Sequence, residues 1–193
     1  MKTRITLFAI AALTMIAISS CKKEKQLTST PADRGEVVIK QYCSTTEFPT
    51  TAENFRASAS GTSVNQENAR KIARSNASGQ MAQNIKSTMQ IVGDNYTKSQ
   101  FVNNKEDANA TFQELIRTKV DLELKGCVVV CEQLVQKADG SYTCYMALEL
   151  KGGKILDAYN NSLSNNEKLK ADYDYEKFKE TFDKEMEKLS QGK

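Results

Sequence analysis

Apolar positions recur in three ways along this 193-residue chain, and each predicts a different kind of element. From Ile5 to Ile18 they form a run interrupted only by Thr6 and Thr14. From Ala69 the spacing becomes three or four, through Ala69, Ile72, Ala73, Ala77, Met81, Ile85, Met89 and Val92. That stripe predicts a helix from about Val64 to Val92, roughly 43 Å long, opened by a capping box at Ser63-Val64-Asn65-Gln66 and stopped by Gly93. The stripe is narrow and rich in Ala and Met, which suits close packing on a sheet with the opposite face exposed.

Period two governs much of the remainder. Between Ala108 and Leu124 the apolar residues fall largely on even positions, which favours one long half-buried strand. The helical reading groups Phe112, Leu115 and Ile116 but loses its stripe at Lys119. Cys127 to Val135 and Tyr142 to Leu150 predict two more strands, joined across the hairpin signal Asp139-Gly140. A two-residue turn there sets Val135 opposite Cys144 and Cys131 opposite Leu148. One core face then carries Cys127, Val129, Cys131, Val135, Tyr142, Cys144, Met146, Leu148 and Leu150. Shorter strand candidates are Val37 to Ile39 with Tyr42, and Phe55 to Ser60 closed by Gly61. Beyond Gly152-Gly153, a short helix is expected from Lys154 to Leu163. Asp172 or Asp174 caps a last helix reaching about Leu189, with Tyr175, Phe178, Phe182, Met186 and Leu189 on one stripe. The fold class is therefore α+β: a long helix packed on an antiparallel sheet, with a C-terminal helical tail attached to it.

The aperiodic run has its own meaning. Lys2 and Arg4 precede it and the small residues Ser19 and Ser20 follow it, the layout of a secretory signal peptide and not of a mature membrane span. Ile18-Ser19-Ser20-Cys21 resembles the lipobox of bacterial lipoproteins, in which the Cys is lipidated and becomes the first residue. Residues 1–20 are then the signal peptide, 21–34 a polar flexible tether, 35–152 the α+β domain and 153–193 a C-terminal helical extension. Likeness to Gram-negative lipoproteins implies the outer membrane, because Lys22 stands where Asp often signals retention at the inner one. Lys22-Lys23-Glu24-Lys25 is not the acidic cluster that marks surface export in some such bacteria, so a periplasm-facing orientation is expected.

A second resemblance lies in the folded part. Phe55-Arg56-Ala57-Ser58-Ala59-Ser60-Gly61-Thr62-Ser63, followed by Ala69, Ala73 and Ala77, resembles the opening of the LPP20 lipoprotein family. Leu124-Lys125-Gly126 and the hairpin through Asp139-Gly140 to Tyr142 occupy the matching later places. The resemblance covers roughly residues 35 to 150 and implies an envelope lipoprotein with a dodecin-like sheet wrapped on a helix. It brings no catalytic residues, and the lengthened helical tail departs from it.

Composition narrows the chemistry. Lys and Arg outnumber Asp and Glu by only 27 to 24, so nucleic acid is not an expected partner. The chain has no His, which removes the usual general base and the commonest neutral metal ligand. Cys127 and Cys131 lie about 13 Å apart along a strand and cannot bridge each other or comfortably share one zinc. The hairpin register allows at most one disulfide among the four cysteines after Cys21, and that bridge must use Cys43. Asp172-Tyr173-Asp174-Tyr175-Glu176 lacks the Gly and distal Glu of a calcium loop and reads as helix capping. No cofactor and no metal is expected. The leading expectation is a non-enzymatic lipoprotein, bound to the membrane through Cys21, that engages another envelope protein or itself. The Tyr175, Phe178, Phe182, Met186 stripe needs a partner surface, either this domain's own sheet or another protein, and is a candidate contact surface; a sheet edge or exposed helix face is another. The alternative is an enzyme or small-ligand carrier with a site between helix and sheet.

Overall fold

The computed structural model describes residues 40–100, 106–118, 124 and 126–192. Its elements are β1 (Asn54–Ser63), α1 (Gln66–Gln100), α2 (Glu106–Thr118), β2 (Val128–Gln136), β3 (Tyr142–Lys151), α3 (Gly152–Ser164) and α4 (Tyr175–Ser190). The sheet is antiparallel in the order β1-β3-β2, so the fold is α+β. The strand candidate at 37–39 lies outside the described residues, and Tyr42 and Cys43 form a turn.

Helix α1 crosses one face of this sheet. Asn65 caps it, its Oδ1 accepting from the N–H groups of Glu67 (2.9 Å) and Asn68 (3.1 Å). Ser63, the expected cap, instead accepts from Asn65 N–H (3.2 Å). Ala69, Ala73, Ala77, Met81, Ile85, Met89 and Val92 are all buried, whereas Ile72 turns outward and is 40% exposed. The crossing is closest at Gly61, where a Cβ would lie 2.4 Å from Ala73 N and 2.7 Å from Ala69 O. Only glycine lets the strand pass so near the helix backbone.

Gly93 does not stop α1. Its missing side chain faces Ile116 and Phe112 of α2, where a Cβ would sit 3.4–3.5 Å from theirs. The roughly 1 kcal/mol that glycine costs within a helix is outweighed by burial of Tyr96 one turn later. The segment expected as a strand from Ala108 is helical over Glu106–Thr118, while 119–123 lie outside the described residues. Phe112 and Ile116 are buried at helical spacing. The position at which the stripe fails, Lys119, lies outside the described span of this helix.

The β2–β3 hairpin turns one residue more widely than expected. Lys137 N–H donates to Ser141 O (2.8 Å) and Gly140 N–H to Lys137 O (3.0 Å), so Ala138, Asp139 and Gly140 form the loop. Gly140 takes φ +82°, a left-handed backbone that glycine adopts without strain. The register therefore shifts by one: Leu134 stands opposite Cys144 and Cys131 opposite Ala147. A one-residue shift exchanges faces, so Val135 and Cys131 leave the expected core face and Leu134 joins it. An irregularity between Val129 and Cys131 restores the expected face upstream, with Val129 opposite Leu148. On β3, Cys144, Met146, Leu148 and Leu150 are buried as predicted.

With Cys131 turned to the face away from α1, it meets Cys43 in a disulfide, Cα–Cα 5.6 Å. Cys127 and Cys144 remain free thiols. The expectation of at most one bridge, made through Cys43, matches this arrangement, although the register behind it does not.

The C-terminal helices are integral to the fold. Lys40–Lys193 form one compact unit, where a division at 152/153 was expected. Gly152 N–H donates to Glu53 O (2.8 Å), and Phe178, Phe182 and Met186 are buried in the same core as Phe55 and Leu148.

Gly61 and Gly79 give a paired test by urea denaturation. Gly61→Ala should destabilise by about 3 kcal/mol, since overpacking here meets backbone. Gly79 faces open space, and Gly79→Ala should stabilise by up to about 1 kcal/mol. On the same helix Met81→Asp should cost several-fold more than Ile72→Asp.

Candidate functional site

Cys21, the expected lipidation site, lies outside the described residues. The candidate contact stripe is occupied within the molecule itself. Phe178 meets Tyr96 (5.5 Å between ring centroids), Phe112 (6.1 Å) and Tyr173 (5.8 Å), and Phe182 meets Phe55 (6.4 Å). Met186 is fully buried and Tyr175 is half-buried against the core. Of the two expected partners the structure has the domain itself, and the surface includes α1 and α2 as well as the sheet's β1.

The aromatic cluster is tied at its polar tips. Asp174 N–H donates to Tyr96 Oη (2.8 Å), and Asp174 caps α4 by accepting from Lys177 N–H (3.2 Å). Tyr173 Oη donates to Asn160 Oδ1 (3.0 Å), and Tyr159 Oη to Ile116 O (3.1 Å). Burial raises the pKa of both Tyr96 and Tyr173, the former opposed by its Asp174 bond. These hydroxyls are built into the core as satisfied polar groups.

Polar hollows open at the surface among the described residues. One, of about 490 Å3, runs between α1 and α4 and is lined by Asn95, Ser99, Lys177, Thr181, Lys184 and Glu185 among others. Glu185 is only 7% exposed, accepting from Asn95 Nδ2 (3.0 Å) and Lys188 Nζ (2.6 Å). Its charge is thus already neutralised by neighbours in the fold. The second, of about 450 Å3, is lined by Glu53, Asn54, Glu149, Lys151, Gly153, Lys154 and Asp157. Glu149 there is paired with Arg56 (2.7 Å). Among the described residues no group of three Cys, Asp or Glu is placed to hold a metal ion. Between α1 and the sheet, where the alternative reading expects its pocket, the two backbones approach closely at Gly61.

The sheet's two edges differ in kind. Thr50 Oγ1 accepts from Arg56 N–H (3.1 Å), Thr51 N–H donates to Asn54 O (2.9 Å), and Asn76 and Asn84 donate to the carbonyls of Ser60 and Arg56 (2.9 and 3.4 Å). These contacts blunt the outer edge of β1. Along β2, the Lys137–Ser141 bond fixes the alternation, so Glu132, Leu134 and Gln136 direct their backbone groups away from β3. Among the described residues, the Gln133 side chain at Leu134 O (3.2 Å) is the sole contact to these groups. Val128 and Val129 beside them are 54% and 39% exposed. Arg70, paired with Glu132 (2.7 Å), covers part of the flank. This open edge is the feature best built to receive another chain.

Sequence reading offered a sheet edge without saying which one, and it missed the α1–α4 hollow. The edge depends on strand order, which no local pattern carries. Asn95 lies beyond the helix end expected at Val92, although the continued spacing Met89, Val92, Tyr96 signals that the helix goes on.

Comparison with protein-family models, with curated proteins and with solved structures finds no match to this chain.

The raised tyrosine pKa values have a definite sign in stability. The unfolded chain releases these protons first, near pH 10, so their contribution is intact below that pH and is lost as pH rises above it. Cys127 and Cys144, also raised by burial, add to the same slope from about pH 9. The urea midpoint should fall between about pH 9 and pH 11.5, and Tyr173→Phe should flatten the upper part of that fall.

Proposed function

We propose that this chain is an LPP20-like envelope lipoprotein, held at the periplasmic face of the outer membrane by lipid on Cys21, whose folded unit binds without catalysis. Its partner is another envelope protein or a second copy, engaged through a strand added to β2. The observation that carries this reading is the contrast between the blunted β1 edge and the open β2 edge with Val128 and Val129 exposed beside it. An open apolar edge is a liability in a protein that does not use it, and soluble domains ordinarily cover or charge such edges.

The anchor rests on the sequence at Ile18-Ser19-Ser20-Cys21. Each buried lipid methylene contributes about 0.8 kcal/mol, so several acyl chains hold a domain of this size firmly. No helix among the described residues is long and apolar enough to cross a membrane. The competing reading, an enzyme or small-ligand carrier, expects its site between helix and sheet; the hollow of about 490 Å3 lies instead between α1 and α4, and the buried Glu185 there is already paired within the fold.

Two measurements test the proposal. Cys21→Ser should move the chain from the membrane to the soluble fraction, and unchanged partitioning with normal processing would sink the anchor. A photo-cross-linking residue at Val128 should capture one discrete adduct in intact cells, lost when Val129→Lys is added. The same probe at Val64, 86% exposed beside the start of α1, should capture none. Identical adducts from both sites would rule out the edge.

A further inference from the structure

The face of the sheet turned away from α1 is crossed by the segment that precedes β1. Tyr42 sets its ring 5.7 Å from that of Tyr145, and Cys43 is bonded to Cys131 over the same face. The chain then turns at Ser44, whose carbonyl accepts from Glu47 and Phe48 N–H, and reaches the outer edge of β1 at Thr50 and Thr51. Ser58, Ala147 and Cys131 form one row beneath this crossing, two small side chains and the bridged sulfur. Ala147 is fully buried on the face away from α1, which accords with a covering strap.

The two ends of the strap are held differently. At its β1 end, Thr50 bonds both N–H and O of Arg56, Thr51 bonds Asn54, and Arg56 Nη1 donates to Pro49 O (3.1 Å). At its other end, among the described residues, the ties are the disulfide and the Tyr42–Tyr145 ring contact. Two features of the closed state oppose closure. Cys43 has φ +51°, in the left-handed region that residues with a side chain disfavour. Ser58 Oγ is buried beneath the crossing without a hydrogen-bond partner. A covalent bond offsets both.

We propose that Cys43–Cys131 is a redox-addressable fastener whose opening releases residues 40–48 and uncovers the outer face of the sheet around Tyr145 and Ala147. The co-reactant is a dithiol, such as the paired cysteines of a thiol–disulfide oxidoreductase. One of its thiolates attacks Sγ of Cys131, which is half-buried, while Cys43 is 1% exposed. The Cys43 thiolate leaves and takes a proton. The second thiol of the reductant then resolves the mixed disulfide, freeing Cys131. Two electrons and two protons pass to this chain, and the reductant ends as a disulfide. The core is untouched, because the bridge lies on the face opposite α1.

The test is hydroxyl-radical footprinting of the full chain in three forms: oxidised, reduced and capped with iodoacetamide without denaturant, and the Cys43→Ser/Cys131→Ser variant. Oxidation of Tyr145 and Phe48 should rise several-fold in both opened forms, while the buried Met81, Met89, Met146 and Met186 stay protected. Unchanged Tyr145 reactivity in the opened forms would show that the strap does not depend on the bridge. Exposure of the core methionines on reduction of the wild-type chain would make the bridge a staple of the whole fold and overturn its role as a switch. A bridge that dithiothreitol reduces only in denaturant would equally defeat the proposal.

Discussion

A Cβ on Gly61 would stand 2.4 Å from the backbone nitrogen of Ala73, and that distance governs much of the architecture. Helix α1 can lie this close to β1 because the facing positions are Gly61, Ala57 and Ala59 on the strand and Ala69, Ala73 and Ala77 on the helix. Small side chains bring backbones together and bury little apolar area each, so this half of the core draws its cohesion from dense packing more than from large side chains. The bulk is elsewhere. Tyr96, Phe112 and Phe178 gather against the second half of α1, and Phe55 of β1 meets Phe182 of α4.

Length explains why the C-terminal helices cannot be dispensable. A helix of 35 residues extends about 52 Å, whereas a strand of 10 residues extends about 33 Å. The last turns of α1 therefore overrun the sheet with their apolar stripe intact, and α2 and α4 cover it. Tyr96 stands at that junction, stacked on Phe112 and bonded to Asp174 at the start of α4. What looks in sequence like a tail with a spare sticky face is the lid of the long helix's second half.

The sequence is most readable where the determining interactions are local. The alanine and methionine spacing locates α1, and Asp174 ahead of an apolar-periodic stretch locates α4, because cap and stripe act within a few residues. Gly93 misleads because glycine has two meanings, a helix terminus or a close approach, and Ile116 decides between them from 23 residues away. Residues 108–118 satisfy both periods for a short distance, so the burial of Phe112 and Ile116 by α1 makes the choice. The hairpin fails by one residue for a local reason of another kind: Asp139-Gly140 suits both two- and three-residue loops. Asp139 Oδ1, accepting from Ser141 N–H (2.9 Å) and Oγ (2.6 Å), accompanies the longer one. That single residue moves Cys131 from the core face to the opposite one, which is why its bond to Cys43 could be bounded but not assigned from the sequence. Strand order is not a local property at all, and the open edge of β2 follows from it.

The pairing of β1 with β3, Asn54 against Lys151 through Ser63 against Tyr142, has a consequence in time. A chain made or translocated from its amino terminus presents β1 nearly ninety residues before the strand that completes it. During that interval Asn54–Ser63 has no ladder partner, and a typical apolar strand so placed would invite association with its neighbours. Its composition, Phe-Arg-Ala-Ser-Ala-Ser-Gly-Thr between the two end residues, contains one large apolar side chain. The same small and polar residues that let α1 settle closely on β1 in the finished domain keep the strand soluble while it waits, so a requirement of the native packing also protects the nascent chain.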